Sequence, residues 1–194
     1  MTPTIAKIIW LAFMVAWVVL RQRPGHRSRR TPVSYSGRDI RERLLMAASF
    51  TGLGIIPSVY LAVHFPRFAD YPFVPLLAYL GVAVDVACLW LFWRTHYDLG
   101  KNWSVSLDLR ERHTLVTTGV YAHVRHPMYS AFWLMALAQA LLLPNWIAGL
   151  SGFVGFGILF FGRVGREEEM MMRGFGEEYR TYMARTARVV PWVY

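Results

Sequence analysis

Long apolar segments alternate with shorter polar ones along the 194 residues of the chain. Apolar runs over residues 5–20, 44–64 and 73–93 have the composition of membrane-spanning helices, which rise about 1.5 Å per residue. The first run is followed by arginine rather than preceded by it, and it has no small-residue exit. It therefore predicts a retained transmembrane helix, not a cleaved signal peptide.

A fourth apolar segment, residues 126–162, is too long for one span. As a single helix it would measure about 55 Å, nearly twice the thickness of the hydrocarbon layer. The turn signal Pro144-Asn145 divides it and predicts two helices, roughly 127–143 and 146–163, that form a helical hairpin. The pattern thus predicts an all-α membrane protein with five transmembrane helices, a polar connector and a C-terminal helix.

The basic residues predict how these helices are oriented. Of the 21 lysines and arginines, eight lie between residues 21 and 43, five between 94 and 125, and six from Arg163 onwards. Lys7 and Arg67 are the two that remain. Since basic loops stay on the cytoplasmic side, we expect the N-terminus outside and the connector and C-terminus in the cytoplasm.

Composition supports the same class of protein. The chain is 55% apolar and 17% charged, with a mean hydropathy of +0.31, so it has the size of one domain but is too apolar for an ordinary soluble one. Its net charge of +9 lies beside apolar runs, which indicates contact with anionic lipid rather than nucleic acid. The single cysteine, Cys88, excludes an intrachain disulfide. The final residues, Pro-Trp-Val-Tyr, contain no lipidation box.

Two features inside the apolar runs suggest helix packing. Asp85 lies near the middle of the third run, where we expect it to form a hydrogen bond with another helix. Four glycines of the fifth helix have no strand before them, so they favour close helix contact over a phosphate-binding loop. They are Gly149, Gly152, Gly155 and Gly157.

The polar residues that suggest chemistry are densest between His113 and Tyr129, beside the membrane. Three segments of this stretch, His113-Thr-Leu-Val, Gly119-Val-Tyr121 and Arg125-His126-Pro127-x-Tyr129, resemble the isoprenylcysteine carboxyl methyltransferase family. The resemblance continues in Glu167-Glu168-Glu169 and in Gly176-Glu-Glu-Tyr179-x-x-Tyr182. It is close over roughly the C-terminal half of the chain.

This resemblance implies an integral membrane enzyme that transfers methyl from S-adenosylmethionine to the carboxylate of an isoprenylated cysteine, leaving S-adenosylhomocysteine. The substrate would enter from the bilayer. The resemblance assigns Arg163 and Glu167, which share a helix face, to the reacting centre. There we expect Arg163 to orient the acceptor carboxylate and Glu167 to place Arg163 or a cofactor group. Glu168 and Glu169 are expected to be solvated. The resemblance assigns the cofactor to His113, Thr114, Leu115, Val116, Tyr121, His126, Pro127, Met128 and Tyr129.

Other interpretations stay open from the residues alone. The acceptor is alternatively a phospholipid amine or a small thiol. An amine must lose its proton, so Glu167 would then act as a base. A membrane scaffold that retains the fold without the chemistry is a non-enzymatic alternative. Arg163 and Glu167 are alternatively a surface ion pair. A metal site is not expected from His113, His123 and His126, because their spacing is loose and thiolate or carboxylate partners are missing.

Overall fold

The computed structural model describes residues 1–28, 33–36, 39–100, 108–110 and 114–193, which form a helical bundle. The helices are α1 (Pro3–Ser28), α2 (Ile40–Phe50), α3 (Ile56–Val63), α4 (Pro75–Leu99), α5 (Pro127–Leu142), α6 (Trp146–Phe175) and α7 (Glu177–Arg185). One π-helical turn, Thr51–Ile55, joins α2 to α3, and 3-10 turns lie at Arg67–Ala69 and Gly119–Ala122. Strands β1 (Val33–Ser36) and β2 (Asp108–Arg110) pair antiparallel, with Ser36 opposite Asp108.

Among the described residues, four helical segments are long and apolar enough to cross a membrane. They are Pro3–Gln22, Ile40–Val63, Pro75–Leu99 and Trp146–Phe175. Helix α5, with 16 residues, is apolar but shorter. The helical class and the apolar segments are confirmed, while the strand pair is a small addition that joins the first basic loop to the connector.

The predicted hairpin between α5 and α6 is confirmed. Asn145, which is fully buried, begins α6: its side-chain oxygen accepts hydrogen bonds from the backbone N–H groups of Ile147 and Ala148. Helix α6 continues beyond the predicted residue 163 to Phe175, and ends where Gly176 adopts a positive φ of 53°. Helix α4 likewise runs six residues past the predicted end at residue 93, to Leu99.

Glycine allows α6 to pack with its backbone in contact with α2 and with the π-helical turn after it, as expected from the glycines of α6. A Cβ atom at Gly155 would lie 2.4 Å from the carbonyl oxygen of Ala48, and one at Gly52 would lie 2.2 Å from that of Ser151. Larger residues cannot occupy these two positions without separating the helices.

The prediction for Asp85 is wrong. Its side chain is 4% exposed and has no hydrogen-bond partner among the residues that the structure describes. The polar group that does join the helices is Gln139 on α5. It donates to the carbonyl oxygens of Gly52 and Ala148 and to the hydroxyl of Ser151.

The two ends of the bundle contain different sets of polar and charged residues. One end, here called the closed end, contains Lys7, Tyr60, Asp70, Tyr79 and Asn145, linked by contacts such as that of the Met1 amino group with the Tyr79 hydroxyl. The other, the cavity end, contains Arg21, Glu42, His96, His126, Arg163 and Glu167. Consecutive long helices therefore run in opposite directions.

Candidate active site

A cavity of about 540 Å³ opens within the bundle at the cavity end. This volume suits a small organic ligand. Helices α1, α2, α4, α5 and α6 all contribute to its walls, and most of its lining is apolar. Val18 on α1 and Phe50 on α2 line it and are also exposed on the outside of the bundle, so the cavity borders the outer surface beside these two residues.

The polar wall of this cavity is built around Glu167. The hydroxyl of Tyr129, at the start of α5, donates to Glu167 Oε2 at 2.5 Å. Arg163 Nε lies 3.7 Å from the same oxygen, and His126 Nδ1 lies 3.7 Å from Oε1. The predicted meeting of the α5 start with the polar part of α6 is therefore found in the structure.

Arg163 belongs to the interior rather than to the surface. It is 9% exposed, and its Nη1 lies 2.9 Å from Glu42 Oε1 on α2, so the interpretation as a surface ion pair is wrong. Because Arg163 lies between the Glu42 and Glu167 carboxylates, its charge is neutralised from two sides. Such a pairing fixes the guanidinium in the cavity wall, since breaking it would leave a buried charge uncompensated.

Glu168 is not solvated, contrary to expectation, whereas Glu169 is exposed as predicted. Glu168 is 7% exposed and accepts hydrogen bonds from the guanidinium groups of Arg125, at 3.0 Å, and Arg188, at 2.7 Å. It points to a different side of α6 from Glu167, and the C-terminal tail covers that side. The helical spacing of α6 cannot predict that the tail covers Glu168, because Arg188 lies 20 positions further along the chain.

The C-terminal tail holds the segment before α5 in place. Backbone N–H groups of Arg125 and His126 donate to the carbonyls of Ala187 and Arg188, at 2.8 and 2.9 Å. The hydroxyl of Tyr182 donates to the carbonyl of Tyr121 at 2.6 Å. The Arg-His-Pro turn is thereby fixed against α6 before α5 begins.

His126 lies between the two carboxylates. Its Nε2 is 3.3 Å from Glu168 Oε1, on the side opposite Glu167. Burial alone would lower the pKa of His126, but hydrogen bonding to Glu167 and Glu168 and the charges of both raise it above its ordinary value. Burial, together with the Glu167 carboxylate, also raises the pKa of Tyr121, which therefore stays a neutral phenol.

The structure brings together part of the predicted cofactor set. Tyr121, His126, Pro127, Met128 and Tyr129 line the cavity together with Arg163 and Glu167. Thr114, Leu115 and Val116 are described but do not line it. His113 lies outside the described residues.

Several cavity residues were not predicted. Examples are Trp17 and Arg21 on α1 and His96 on α4, which line the cavity. Glu42 on α2, which pairs with Arg163 behind the wall, was not predicted either. The sequence around Glu42 contains a pattern that could have identified this residue. Glu42 is an acidic residue in a basic run and lies three positions after Asp39. The Asp39 side chain caps α2 by accepting a hydrogen bond from the Glu42 N–H.

The sequence was compared with known proteins. The profile of the isoprenylcysteine carboxyl methyltransferase (ICMT) family matches residues 78–173, about half of the chain. The chain belongs to this family. The matched range includes Tyr121, His126, Tyr129, Arg163 and Glu167, so the family's own segment builds the polar wall of the cavity. Helices α1 and α2 lie before it.

Individual relatives agree with the family. The chain is 30% identical over 119 residues to the protein-S-isoprenylcysteine O-methyltransferase of Schizosaccharomyces pombe, covering 59% of this chain and 50% of the relative. It is 33% identical over 99 residues to the Homo sapiens protein of the same name, covering 50% and 35%. A probable protein-S-isoprenylcysteine O-methyltransferase of Oryza sativa subsp. indica is 25% identical over 156 residues, covering 79% and 78%. The chain thus spans half or less of the length of the first two.

Proposed function

We propose that this chain is a single integral membrane domain that transfers methyl from S-adenosylmethionine to the carboxylate of an isoprenylated cysteine or a close analogue. The observation that carries the proposal is one cavity with two different regions. Its polar wall contains Tyr129, Arg163 and Glu167, and its apolar part borders the outer surface beside Val18 and Phe50. A lipid-tailed acid needs both regions at once.

The residues of the polar wall fit a methyl donor that carries a positive charge. S-adenosylmethionine, when bound, supplies a methyl group on a cationic sulfonium, and its transfer to a carboxylate oxygen yields an ester and a neutral thioether without proton exchange. The Glu167 carboxylate and the rings of Tyr121 and Tyr129 are groups that favour a nearby cation. His126 and Met128 complete the wall at the start of α5.

Glu167 is better suited to positioning than to proton abstraction. Its carboxylate accepts from the Tyr129 hydroxyl and faces Arg163 and His126, all of which favour the ionised form. A carboxylate acceptor is itself ionised at about pH 7 and needs no base. The residues therefore contribute alignment and exclusion of water, which favours the carboxylate over an amine acceptor.

The proposal includes an orientation. We infer that α1, α2–α3, α4, α5 and α6 all cross the bilayer, with the N-terminus outside and the cavity end in the cytoplasm. The support is the distribution of charge: Arg21, Arg41, Arg125 and Arg163 lie at the cavity end, while Lys7 lies at the closed end.

Methyl transfer can be measured in membranes with labelled S-adenosylmethionine and three acceptors: N-acetyl-S-farnesylcysteine, phosphatidylethanolamine and a small thiol. We expect transfer to the first. A Glu167→Gln variant should be slower by ~100-fold or more, in the range for removing one preorganised charged group. Exposed Glu169→Gln is the matched control and should behave as the wild type.

The other possible results of this assay would each favour a different interpretation. Transfer to the amine or the thiol instead would identify a different acceptor. Binding of the methyl donor without transfer to any of the three would favour a scaffold. A Glu167→Gln variant as active as the wild type would remove Glu167 from the site.

A further inference from the structure

Arg21 is a cation in the cavity wall that the family match does not cover. It lies near the cavity end of α1, before the matched residues 78–173. We propose that the Arg21 guanidinium, rather than that of Arg163 as expected from the sequence, binds the carboxylate of the acceptor, while Arg163 holds Glu167 in place. This inference rests on the proposed function, since it assigns a residue to the acid that the cavity would receive.

The pairing of the other arginines supports this assignment. Several other arginines of the described residues are paired with a carboxylate, some buried and some partly exposed. They are Arg94 with Asp98, Arg125 and Arg188 with Glu168, Arg163 with Glu42 and Glu167, and Arg166 with Asp39. Arg21 forms no ion pair with any carboxylate among the described residues. It is a half-buried cation beside an apolar cavity, a situation that an anionic ligand would stabilise.

The surroundings of Arg21 favour an anion in a defined place. Its guanidinium lies over the ring of Trp17, with Cζ 5.2 Å from the ring centroid, so the ring holds this cation in the wall of the cavity. The indole N–H of Trp17, which also lines the cavity, is buried without an acceptor among the described residues. Arg163 is close enough to Arg21 for the two charges to interact, but Arg163 is itself paired with Glu42 and Glu167, which leaves Arg21 as the better cation for an added carboxylate.

The same helix connects this position to the outer surface of the bundle. Val18 and Met14 precede Arg21 on α1 and line the apolar part of the cavity, and Val18 is exposed to the outside. A carboxylate at Arg21 would therefore leave its apolar tail beside Val18 and the outer surface. Esterification removes the negative charge that Arg21 binds, so the product would be held less tightly than the substrate acid.

The test compares an acid with its neutral ester. Binding of N-acetyl-S-farnesylcysteine and of its methyl ester is measured on the full chain in detergent micelles, for the wild type, Arg21→Gln, Arg21→Lys and Lys7→Gln. We expect the wild type to prefer the acid, and Arg21→Gln to bind the acid about 10- to 100-fold more weakly with the ester unchanged. Arg21→Lys should recover part of the preference, because it keeps the charge but not the planar donor set.

Lys7→Gln is the matched control, because it removes one positive charge from the same helix at the closed end, where Lys7 lies over the ring of Tyr60. It should bind both probes as the wild type does. S-adenosylhomocysteine binding, measured in parallel, reports whether each variant retains the rest of the site. If Arg21→Gln fails to fold, the Arg21→Lys variant decides the question. A preference for the acid weaker than that of the wild type supports the role of Arg21, and an unchanged preference overturns it.

Different results would overturn the proposed function and the role of Arg21. A wild type that neither binds nor methylates the acid overturns the proposed function. A wild type that methylates the acid, with Arg21→Gln keeping the full preference for acid over ester, overturns the role of Arg21 alone. Equal weakening of acid and ester in Arg21→Gln also overturns it, because that result indicates a structural role.

Discussion

Both ends of the bundle bury polar side chains, and they use them differently. At the closed end, Asn145 donates to the Pro66 carbonyl and to Asp70, while its side-chain oxygen accepts two backbone N–H groups at the start of α6. Its hydrogen-bonding capacity is fully used within the protein. At the cavity end, Glu167 and Arg163 are also paired, but they border open space together with Arg21, which has no carboxylate partner among the described residues.

The comparison teaches that buried polar residues do not by themselves indicate a site. A network whose groups satisfy each other stabilises a helix junction, whereas a network beside a cavity with unmatched charge is able to receive a ligand. The cavity end contains both kinds. Glu168 serves the first purpose by holding Arg125 and Arg188, and Glu167, its neighbour in sequence, serves the second.

The largest effect is expected from Glu168→Ala. This change leaves the largely buried guanidinium of Arg125 and the partly exposed one of Arg188 without their carboxylate, and it removes the ion pairs that help to hold the tail against the turn before α5. We expect a loss of about 3–5 kcal/mol in the free energy of unfolding, as for other buried pairs that lose one partner. Thermal unfolding in detergent would measure this loss.

The matched control for Glu168→Ala is Glu177→Ala, which removes a carboxylate from an exposed pair with Arg180 on α7. Pairs of this kind contribute about 1 kcal/mol or less. If the two variants were equally stable, Glu168 would not be the residue that holds the tail, and the distinction drawn between Glu167 and Glu168 would be wrong.

Asn145→Ala should give a smaller loss, about 2–4 kcal/mol, and should separate stability from activity. The change removes the cap of α6 and leaves the Pro66 carbonyl and the Asp70 carboxylate with fewer partners. Because Asn145 lies at the closed end, methyl transfer per folded molecule should stay at the wild-type level. A stable Asn145→Ala variant with reduced transfer would show that the closed end takes part in function.

Much of the fold was predictable because hydropathy is a local property. The helical hairpin followed from Pro144-Asn145, and the proximity of Tyr129 to Glu167 followed from placing two helix ends at one membrane face. The full length of α6 did not follow, because its last turns are polar. They gain their stability from partners such as Arg188 that lie beyond the helix itself.

Partners that are distant in sequence account for most of the errors. Glu42 pairs with Arg163 across 121 positions, and no helical spacing could have selected it. Asp85 was expected to join two helices, but Gln139 does so. Thr114 to Val116 were assigned by resemblance to the cofactor, and their positions away from the cavity depend on how the connector folds. Their role in binding the cofactor stays a prediction.

The smallest expected effect is a pH dependence at the cavity end, due to His126. Its pKa is raised in the folded protein, because the carboxylates of Glu167 and Glu168 outweigh the cost of burial. A group with a raised folded pKa stabilises the protein fully below its unfolded pKa, about 6.5, and this contribution is lost as the pH rises through the folded value. The thermal midpoint of the wild type in detergent should therefore fall with increasing pH above about 6.5, and that of His126→Gln should fall less. The wild-type midpoint could instead rise over this range, or it could change with pH in the same way as that of His126→Gln. Either result would mean that His126 is not held as a cation between the two carboxylates.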